Sequence, residues 1–531
     1  MSERVHSQQA RQTAQTGQRY GSARGAVGRL ADALLPPALP VLPQAQIAAR
    51  YLPADDDRTA GGDWFDAVPL TDGTVALVVG DVAGHGVAAL AAMSQLRAVL
   101  GELLTTESQL ATVLAKADAF TARTPGLPGA TLALALLDPA DGTLRYTTCG
   151  HPPPLIIGAG GTARYLPGTG TGPLGTGSPP AIATGTLPPG ALVLLYTDGL
   201  IRRPSRSVAE GMAELAAAAA SAASQPPPPG APPAPADRAC QLTTEQLARA
   251  GYDDDIVTLA AQRLAERIPA LDLSAPATLT SLTAVRHALG EWLDQIDPAT
   301  QERDDLQLAV GEIVTNVIEH AYPPDQPGLV EVQAALADDG NLHCQITDYG
   351  RWRQPDPSAL DRGHGLMVAA QVVDQMLVGH PGQPAGAARR IPGTTVTLRC
   401  RLHRPAISGP PISTDAPSPP PPPSFAVEIG IDGALCRARV TGPVDATTAT
   451  PLARRLLTAS RGGTLPLIVD LTSVTRLGSA GTRSLYQVRG QLAAHHQERT
   501  LVAGAGSSVA LILDLARLPY IATAPSGSAG V

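Results

Sequence analysis

The chain has 531 residues, a net charge of −8 at pH 7, 44% hydrophobic residues and only 3% aromatic ones. That length predicts about three or four domains, and the acidic balance without a long basic run disfavours nucleic acid as a direct partner. The five cysteines are scattered without a CxxC pair. They disfavour a disulfide framework or a zinc site and indicate a reducing compartment, which we expect to be the cytoplasm.

Residues 1–29 carry five arginines and few acids, and they contain no apolar core. A secretory signal needs such a core, so this segment is predicted to be a disordered basic tail, with a transit peptide as the alternative. No apolar run approaches the roughly 20 residues needed to cross a bilayer, and no membrane partner is expected.

The first half of the chain has apolar runs separated by turn residues, a pattern that predicts antiparallel sheets with helices on their outer faces. Paired strands are predicted from residue 47 through DWFDAVPL and TVALVVGDV, then a helix over 87–104 and further strands up to ALVLLYTDGL. The proline-rich stretch 226–236 is predicted to be a surface insertion, because the helix-like TTEQLARAG and the final strand DDDIVTLAAQRL follow it.

Acidic residues lie on turns at the ends of these runs, in GGDWFD (61–66), GDVAGHG (80–86), YTDGL (196–200) and DDD (253–255). Carboxylate oxygens suit Mg²⁺ or Mn²⁺, and glycine lets the backbone pass close to an ion. Two ions held by shared carboxylates polarise a water and clamp a phosphoryl group. A single Asp-Gly turn is usually only a turn, but several in order predict a metal-dependent phosphatase.

These segments, with SQLRAVL, CGHPPPL and DDDIVTL, resemble the PPM-type serine/threonine phosphatases of the stage II sporulation protein E (SpoIIE) and RsbU type. The resemblance implies an αββα sandwich over 30–266 and a site with two manganese or magnesium ions. Carried over by motif, the catalytic and metal-binding residues are Asp63, Asp81, Asp198 and Asp254, with the Val82 carbonyl as a further metal contact. The triple Asp at 253–255 leaves the last assignment ambiguous by one residue.

A strong amphipathic helix is predicted at Asp304–Tyr322. One face is apolar at i, i+4, i+7 and i+11, and a neighbouring stripe carries Glu312, Asn316, Glu319 and His320. This stripe is either a solvated face or part of a site. Asparagine is a poor residue for a helix interior, which favours the site.

A strand ending in DYG (348–350), a glycine-rich turn RGHG (362–365) that opens a helix, and a closing strand GTTVTL (393–398) follow this helix. The set resembles the GHKL (Bergerat) ATPase fold over 270–403, and most closely the anti-sigma-factor serine kinases of the RsbW type. Lys116 is the only lysine and follows no glycine-rich loop, so a Walker P-loop and a protein-kinase fold are both disfavoured.

The resemblance implies a lysine-free site for ATP with Mg²⁺. Asn316 would hold Mg²⁺, Asp348 would accept from the adenine amino group, and Glu312 would take the proton of an attacking serine hydroxyl. The implied cofactor-binding residues are Asn316, Asp348, Gly350, Gly363, Gly365 and Thr394. Such anti-sigma factors are commonly dimers, so a homodimer is one expected state.

The proline-rich stretch 404–424 is predicted to be a linker. After it, strands alternate with helices over 425–525 and predict a small α/β unit that resembles a STAS domain, the fold of anti-sigma-factor antagonists. The resemblance implies Ser479 as a phosphoacceptor, and a helix N-terminus suits a phosphate. Because Gly478 replaces the usual Asp and Ala480 the second hydroxyl residue, Ser479 is either a phosphoacceptor or only an N-cap.

The predicted fold class is therefore multidomain α+β, with a phosphatase sandwich, a GHKL α/β sandwich and a STAS α/β domain. We expect a bacterial regulator whose phosphatase acts on phosphorylated STAS antagonists and whose ATP-binding module phosphorylates them or binds a sigma factor. The main alternative is a non-catalytic partner-switching scaffold. A hydrolase of small phosphate esters remains a third reading, which the attached modules disfavour.

Overall fold

The computed structural model describes most of the chain, and the predicted tail 1–29 lies outside the described residues. The described ranges are 34–36, 38–54, 61–203, 206–224, 234–249, 251–323, 325–350, 364–379, 393–408, 425–432, 435–444, 448–477, 479–505 and 507–523.

Over its described residues, the first unit has two sheets and four long helices, with a short 3₁₀ helix at Asp198–Leu200. Its elements are β1 (Ala38–Pro40), β2 (Ala45–Leu52), β3 (Gly61–Pro69), β4 (Val75–His85), α1 (Val87–Thr106), α2 (Leu110–Arg123), β5 (Thr131–Leu137), β6 (Thr143–Cys149), β7 (Leu155–Ile157), β8 (Ala163–Tyr165), β9 (Ala183–Thr186), β10 (Leu192–Tyr196), α3 (Val208–Ser224), α4 (Pro235–Ala248) and β11 (Ile256–Arg263).

The two sheets have the strand orders β3-β4-β5-β6-β9 and β2-β11-β10-β7-β8, and a short later strand joins the second at β2. Helix α1 packs on β3 and β4, and α4 packs on β2 and β11, so helices cover both outer faces. This is the predicted αββα sandwich. The expectation that the strand from residue 47 pairs with the next one is wrong, because β2 pairs with β11 in the opposite sheet.

Helix α1 is long and apolar enough to span a bilayer by length and composition, which is weak evidence for a membrane segment. The expectation that no apolar run approaches that length is therefore wrong for this helix. Its side chains Leu90, Met93, Leu96 and Leu100 are buried in the core that also contains β3 and β4. In the structure, α1 is thus a core helix of the phosphatase sandwich.

The second unit is a five-stranded sheet with order β12-β13-β14-β16-β15. Its elements are β12 (Leu271–Pro276), α5 (Leu279–Ile296), α6 (Thr300–Asn316), β13 (Leu329–Leu336), β14 (Asn341–Asp348), α7 (His364–Gln371), β15 (Gln375–Gly379) and β16 (Thr395–Arg401). The predicted apolar stripe of α6 is confirmed as core at Leu306, Val310, Ile313 and Val317. Residues 317–321 form a π-helical turn directly after Asn316.

The start of the predicted linker returns to the first unit. Strand β17 (His403–Pro405) pairs with β1, and β18 (Ile407–Ser408) runs parallel to β2 at the edge of the second sheet. Arg404 donates to the carbonyl of Ile47 and to the carboxylates of Asp237 and Asp297. The first two units are therefore joined by backbone pairing and by one buried arginine.

The third unit has the sequential sheet order β19-β20-β21-β22-β23, parallel from β20 onward. Its elements are β19 (Ala426–Asp432), β20 (Leu435–Val444), α8 (Ala449–Ala459), β21 (Leu467–Leu477), α9 (Ser479–Ala494), β22 (Arg499–Gly504), α10 (Ser508–Leu515) and β23 (Tyr520–Thr523). Helices on a mostly parallel sheet give the predicted α/β unit.

Candidate phosphatase and ATP sites

Strands β3 and β4 bring Asp63 and Asp81 together, because their register places these two residues directly opposite each other. Opposed residues of an antiparallel pair have Cβ atoms about 5 Å apart. A register shift between Gly61 and Asp63 interrupts the regular pairing. It places the backbone of Gly62 against the backbone of Val82 in β4. A Cβ on Gly62 would lie 1.9 Å from the carbonyl oxygen of Val82, so only glycine permits this approach.

Asp255 ties the end of β2 to the start of β3, the strand that carries Asp63. Its carboxylate accepts hydrogen bonds from the Tyr51 hydroxyl at 2.6 Å and from the amides of Ala54 and Gly61 at 2.8 and 2.7 Å. These donors occupy a side chain that is only 1% exposed. Asp254, its neighbour, is exposed and contributes negative charge to the surroundings of Asp63.

Asp63 lies in strongly acidic surroundings. Burial, and then the charges of Asp81, Asp255 and Asp254, raise the pKa of Asp63 well above its ordinary value. A divalent ion removes this repulsion, and carboxylate oxygens are the ligands that Mg²⁺ and Mn²⁺ take. Within the described ranges, no three acidic or histidine side chains already converge at metal-ligand geometry. The donor set thus fits a divalent metal in charge and in atom type. Its described side chains do not converge at coordination distances.

Asp198 is turned towards an arginine that the sequence prediction missed. Arg202 Nη1 bonds to Asp198 Oδ2 at 2.6 Å, one helical turn away. The Arg202 guanidinium is 9% exposed, and the charges of Asp198, Asp254 and Asp81 support its protonated form against burial. The Asp-Gly turn alone gave no signal that the following arginine would fold back into the cleft.

His151 is buried beside the cleft and links two strands. Its Nδ1 lies 2.8 Å from Thr131 Oγ1 and its Nε2 lies 3.1 Å from the carbonyl oxygen of Tyr196. A carbonyl only accepts, so Nε2 carries the proton and Nδ1 accepts from the threonine. Burial lowers the pKa of His151 to about 4, and the ring is neutral. This histidine ties β5 to the end of β10, just before Asp198.

In the second unit, Asp348 ends β14 in a closed loop. Its Oδ1 accepts from the amides of Gly350 at 2.8 Å and Thr394 at 3.3 Å, and Gly393 donates to its backbone carbonyl. A Cβ on Gly350 would lie 2.1 Å from the carbonyl of Ala321, at the end of the π-helical turn. The structure therefore brings Asp348, Gly350 and Thr394 together beside the helix that carries Asn316.

The other predicted ATP-site residues are placed less completely. Glu312 and Asn316 are half-buried on α6, with Asn316 at its last position. Gly365 lies in α7, which begins at His364, inside the predicted glycine-rich turn. Gly363 lies outside the described residues.

Ser479 is the first residue of α9, as predicted, and β21 ends two residues earlier at Leu477. The end of β21 faces the first unit, because Arg202 Nη2 donates to the carbonyl oxygen of Leu477 at 2.8 Å. The same arginine thus contacts a predicted metal ligand and the strand that leads to the predicted phosphoacceptor.

Family models match the three units in order. Stage II sporulation protein E (SpoIIE) matches residues 71–264, the histidine kinase-like ATPase domain matches 275–399, and the STAS domain matches 427–521. The chain is 41% identical to the crystal structure of the RsbU and RsbW domains of Rv1364c from Mycobacterium tuberculosis, covering 72% of this chain and 99% of that one with a TM-score of 0.62.

Curated proteins also match parts of the chain, among them the following two. Anti-sigma F factor from Clostridium botulinum is 29% identical over 104 residues, which are 18% of this chain and 72% of that protein. Protein IcfG from Synechocystis is 30% identical over 198 residues, which are 31% of this chain and 30% of that protein.

The two-sheet sandwich with its acidic cleft defines a PPM-type protein phosphatase domain, and the second and third units are a GHKL-type ATPase domain and a STAS domain. The chain belongs to the family of SpoIIE/RsbU-like phosphatases fused to an RsbW-like ATPase domain and a STAS domain.

Proposed function

We propose that this chain is a cytoplasmic partner-switching regulator whose phosphatase domain hydrolyses phosphoserine or phosphothreonine on STAS antagonist proteins, its own STAS domain included. One observation carries this proposal: the acidic cleft holds the turn that leads to Ser479, through the bond from Arg202 to the Leu477 carbonyl. A phosphatase that acts on such a turn must bind the backbone beside the phosphoserine, and Arg202 does so.

Asp63, Asp81, Asp198 and Asp254 and the Val82 carbonyl would hold two Mn²⁺ or Mg²⁺ ions. When bound, such ions polarise water and neutralise phosphate charge. The remaining tasks fall to the protein. Asp255 fixes the loop before Asp63 through its three donors. His151 fixes the end of β10 before Asp198, and Arg202 orients the strand that carries the substrate turn.

The test uses the purified full chain with radiolabelled ATP and Mg²⁺, beside the variants Asp81→Asn and Ser479→Ala. We expect label to accumulate on Asp81→Asn, to vanish when Ser479→Ala is added, and to stay low on wild type. Asp272→Asn, an exposed acid on β12, is the matched control and should behave as wild type. Label that is equally high on Asp81→Asn and wild type would exclude the self-directed phosphatase. Label absent from both would mean that the chain does not phosphorylate itself, and the phosphatase is then tested on a separate phosphorylated STAS protein.

A second activity is favoured by the closed loop around Asp348. We propose that this domain binds ATP with Mg²⁺ and phosphorylates the STAS serine, with Asn316 on the metal, Glu312 as base, and Gly350, Gly363, Gly365 and Thr394 around the nucleotide. Asp348→Asn should abolish ATP binding in calorimetry. Glu312→Gln should retain binding and lose phosphoryl transfer.

The scaffold alternative makes the opposite prediction for the second activity. If wild type binds ATP but labels neither itself nor an added STAS protein, the domain serves to bind a partner such as a sigma factor. Comparing binding of a sigma factor with and without ATP then separates a nucleotide-gated scaffold from a constitutive one.

A further inference from the structure

The STAS domain is seated on the mouth of the phosphatase cleft. Helix α9 packs against β4, the strand that carries Asp81. Between the two domains a cavity of about 30 Å³ is lined by Asp81, His151 and Asp198 on one side and by Leu477 and Thr482 on the other. A cavity of this size holds one or two water molecules. In this arrangement the cleft has no room for a second phosphoprotein.

Arginines from both domains hold this contact. Arg202 of the phosphatase domain reaches the Leu477 carbonyl at 2.8 Å. Arg483 of the STAS domain donates to the carbonyl of Gly126 at 2.8 Å. The charge of Asp81 favours the protonated Arg483 and opposes the effect of burial, which lowers the pKa of Arg483. The STAS domain thus places a positive charge over the acidic cleft.

A small apolar contact also joins the STAS domain to the phosphatase domain. Ala449, at the start of α8, is 5% exposed and forms a buried cluster with Ala83 of β4, which is 7% exposed. Ala449 belongs to this cross-domain cluster and not to the hydrophobic core of the STAS domain. Its burial therefore comes from docking, and a larger side chain there would act on the interface.

We propose that the chain's own STAS domain is the resident occupant of the phosphatase cleft, so that a phosphoserine protein supplied by another chain must displace it. This inference rests on the proposed phosphatase function and adds its regulation. The open fraction of the cleft then sets the apparent affinity for such substrates, since binding is weakened by the fraction of chains that are competent to bind.

The experiment uses the full chain and two arginine substitutions on the same helix. Ala449→Arg pushes the domains apart, whereas Thr458→Arg adds the same charge at an exposed position of α8 and is the control. Arg483→Ser removes the bond to Gly126 and is a milder second variant. Small-angle scattering reports docking, and hydrolysis with Mn²⁺ of a peptide with the sequence of residues 472–485, phosphorylated on Ser479, reports access.

We expect Ala449→Arg and Arg483→Ser to raise the radius of gyration and to lower KM for the peptide, by about tenfold if about one chain in ten is open in wild type. The kcat should stay unchanged, and Thr458→Arg should match wild type. Equal radii for wild type and Ala449→Arg would overturn the resident occupant. A larger radius with unchanged KM would overturn the competition.

Failure of the phosphatase function itself looks different. If wild type, Ala449→Arg and Thr458→Arg all release no phosphate from the peptide or from p-nitrophenyl phosphate, the proposed function is wrong. Scattering alone then decides the occupancy: an expanded Ala449→Arg chain supports it, and an unexpanded one overturns it.

Discussion

Asp255 shows how one residue prepares the cleft without being one of its proposed metal ligands. Three donors converge on its carboxylate, and they come from β2, the loop after it and the start of β3. The consecutive aspartates at 253–255 therefore have different roles. The buried Asp255 fixes the loop before β3, and the exposed Asp254 remains at the cleft. These contacts support Asp254 as the proposed ligand, since Asp255 is buried and already accepts from three donors.

Replacing Asp255 by asparagine should destabilise the phosphatase domain by about 2 kcal/mol, because the amide presents a donor to groups that are themselves donors. Asp253→Asn, at an exposed position, should change the stability by less than about 0.5 kcal/mol. Scanning calorimetry of both variants checks this. A transition of Asp255→Asn that is not lowered relative to Asp253→Asn would show that the three bonds contribute little.

His151 gives a pH dependence with a definite sign. Burial lowers its pKa from 6.5 to about 4, so between these values the unfolded chain binds the proton and the folded chain does not. Stability from this residue is complete above pH 6.5 and is lost as the pH falls towards 4, by about 3 kcal/mol in total. The difference in unfolding free energy between wild type and His151→Gln should shrink over this window.

Many other groups also titrate between pH 6.5 and 4, which is why the difference from His151→Gln is the quantity to measure. Urea unfolding at several pH values gives it directly. A difference that stays constant over the window would mean that the ring is protonated in both states or in neither.

At the scale of elements, the pairing of β3 with β4 depends on a glycine at position 62, where no side chain fits. The backbone of Gly62 lies against the Val82 carbonyl, with no space for a Cβ. This carbonyl is also a proposed metal contact, beside Asp63 and Asp81. A change at Gly62 should therefore affect strand pairing and metal binding together.

Gly62→Ala is expected to lower stability by about 1–3 kcal/mol, the usual effect of overpacking, and to weaken Mn²⁺ binding measured by calorimetry. Gly101→Ala is the matched control. It lies in α1 with nothing within 4 Å of an added Cβ, so it should stabilise the helix by up to about 1 kcal/mol. Unchanged Mn²⁺ affinity in Gly62→Ala would show that the register shift at Gly62 does not influence the metal site.

At the scale of the whole molecule, the sequence predicted the three units and the order of their strands and helices because their signals are local. Apolar periodicity marked α6, and the Asp-Gly turn at Asp198 marked the end of β10, but the expectation that Asp63 and Asp81 lie on turns is wrong, because both lie within β3 and β4. It did not predict contacts between units. Arg202 follows an ordinary turn, Arg404 lies in a predicted linker, and Ala449 is one alanine among many. Only the folded chain shows that each of them crosses a domain boundary.

Arg404 makes the most direct contact between units, since it bonds to Asp237 of the phosphatase unit and to Asp297 of the ATPase unit. Its side chain is 10% exposed, that of Asp237 is 12% exposed and that of Asp297 is 63% exposed. Arg404→Met leaves the Asp237 charge buried without this partner, which typically costs about 3–5 kcal/mol. Arg439→Met, at an ion pair whose arginine is 62% exposed, should change stability by less than about 1 kcal/mol.

Adding Asp237→Leu to Arg404→Met removes the stranded charge and should recover most of the loss, because the cost lies in the buried unpaired carboxylate rather than in the absent attraction. Calorimetry of the single and double variants closes this cycle. If the double variant is as unstable as Arg404→Met, the loss comes instead from the bonds to the carbonyls of Ile47 and Asp297. The two units would then be joined mainly through their backbones, at β17 and β18.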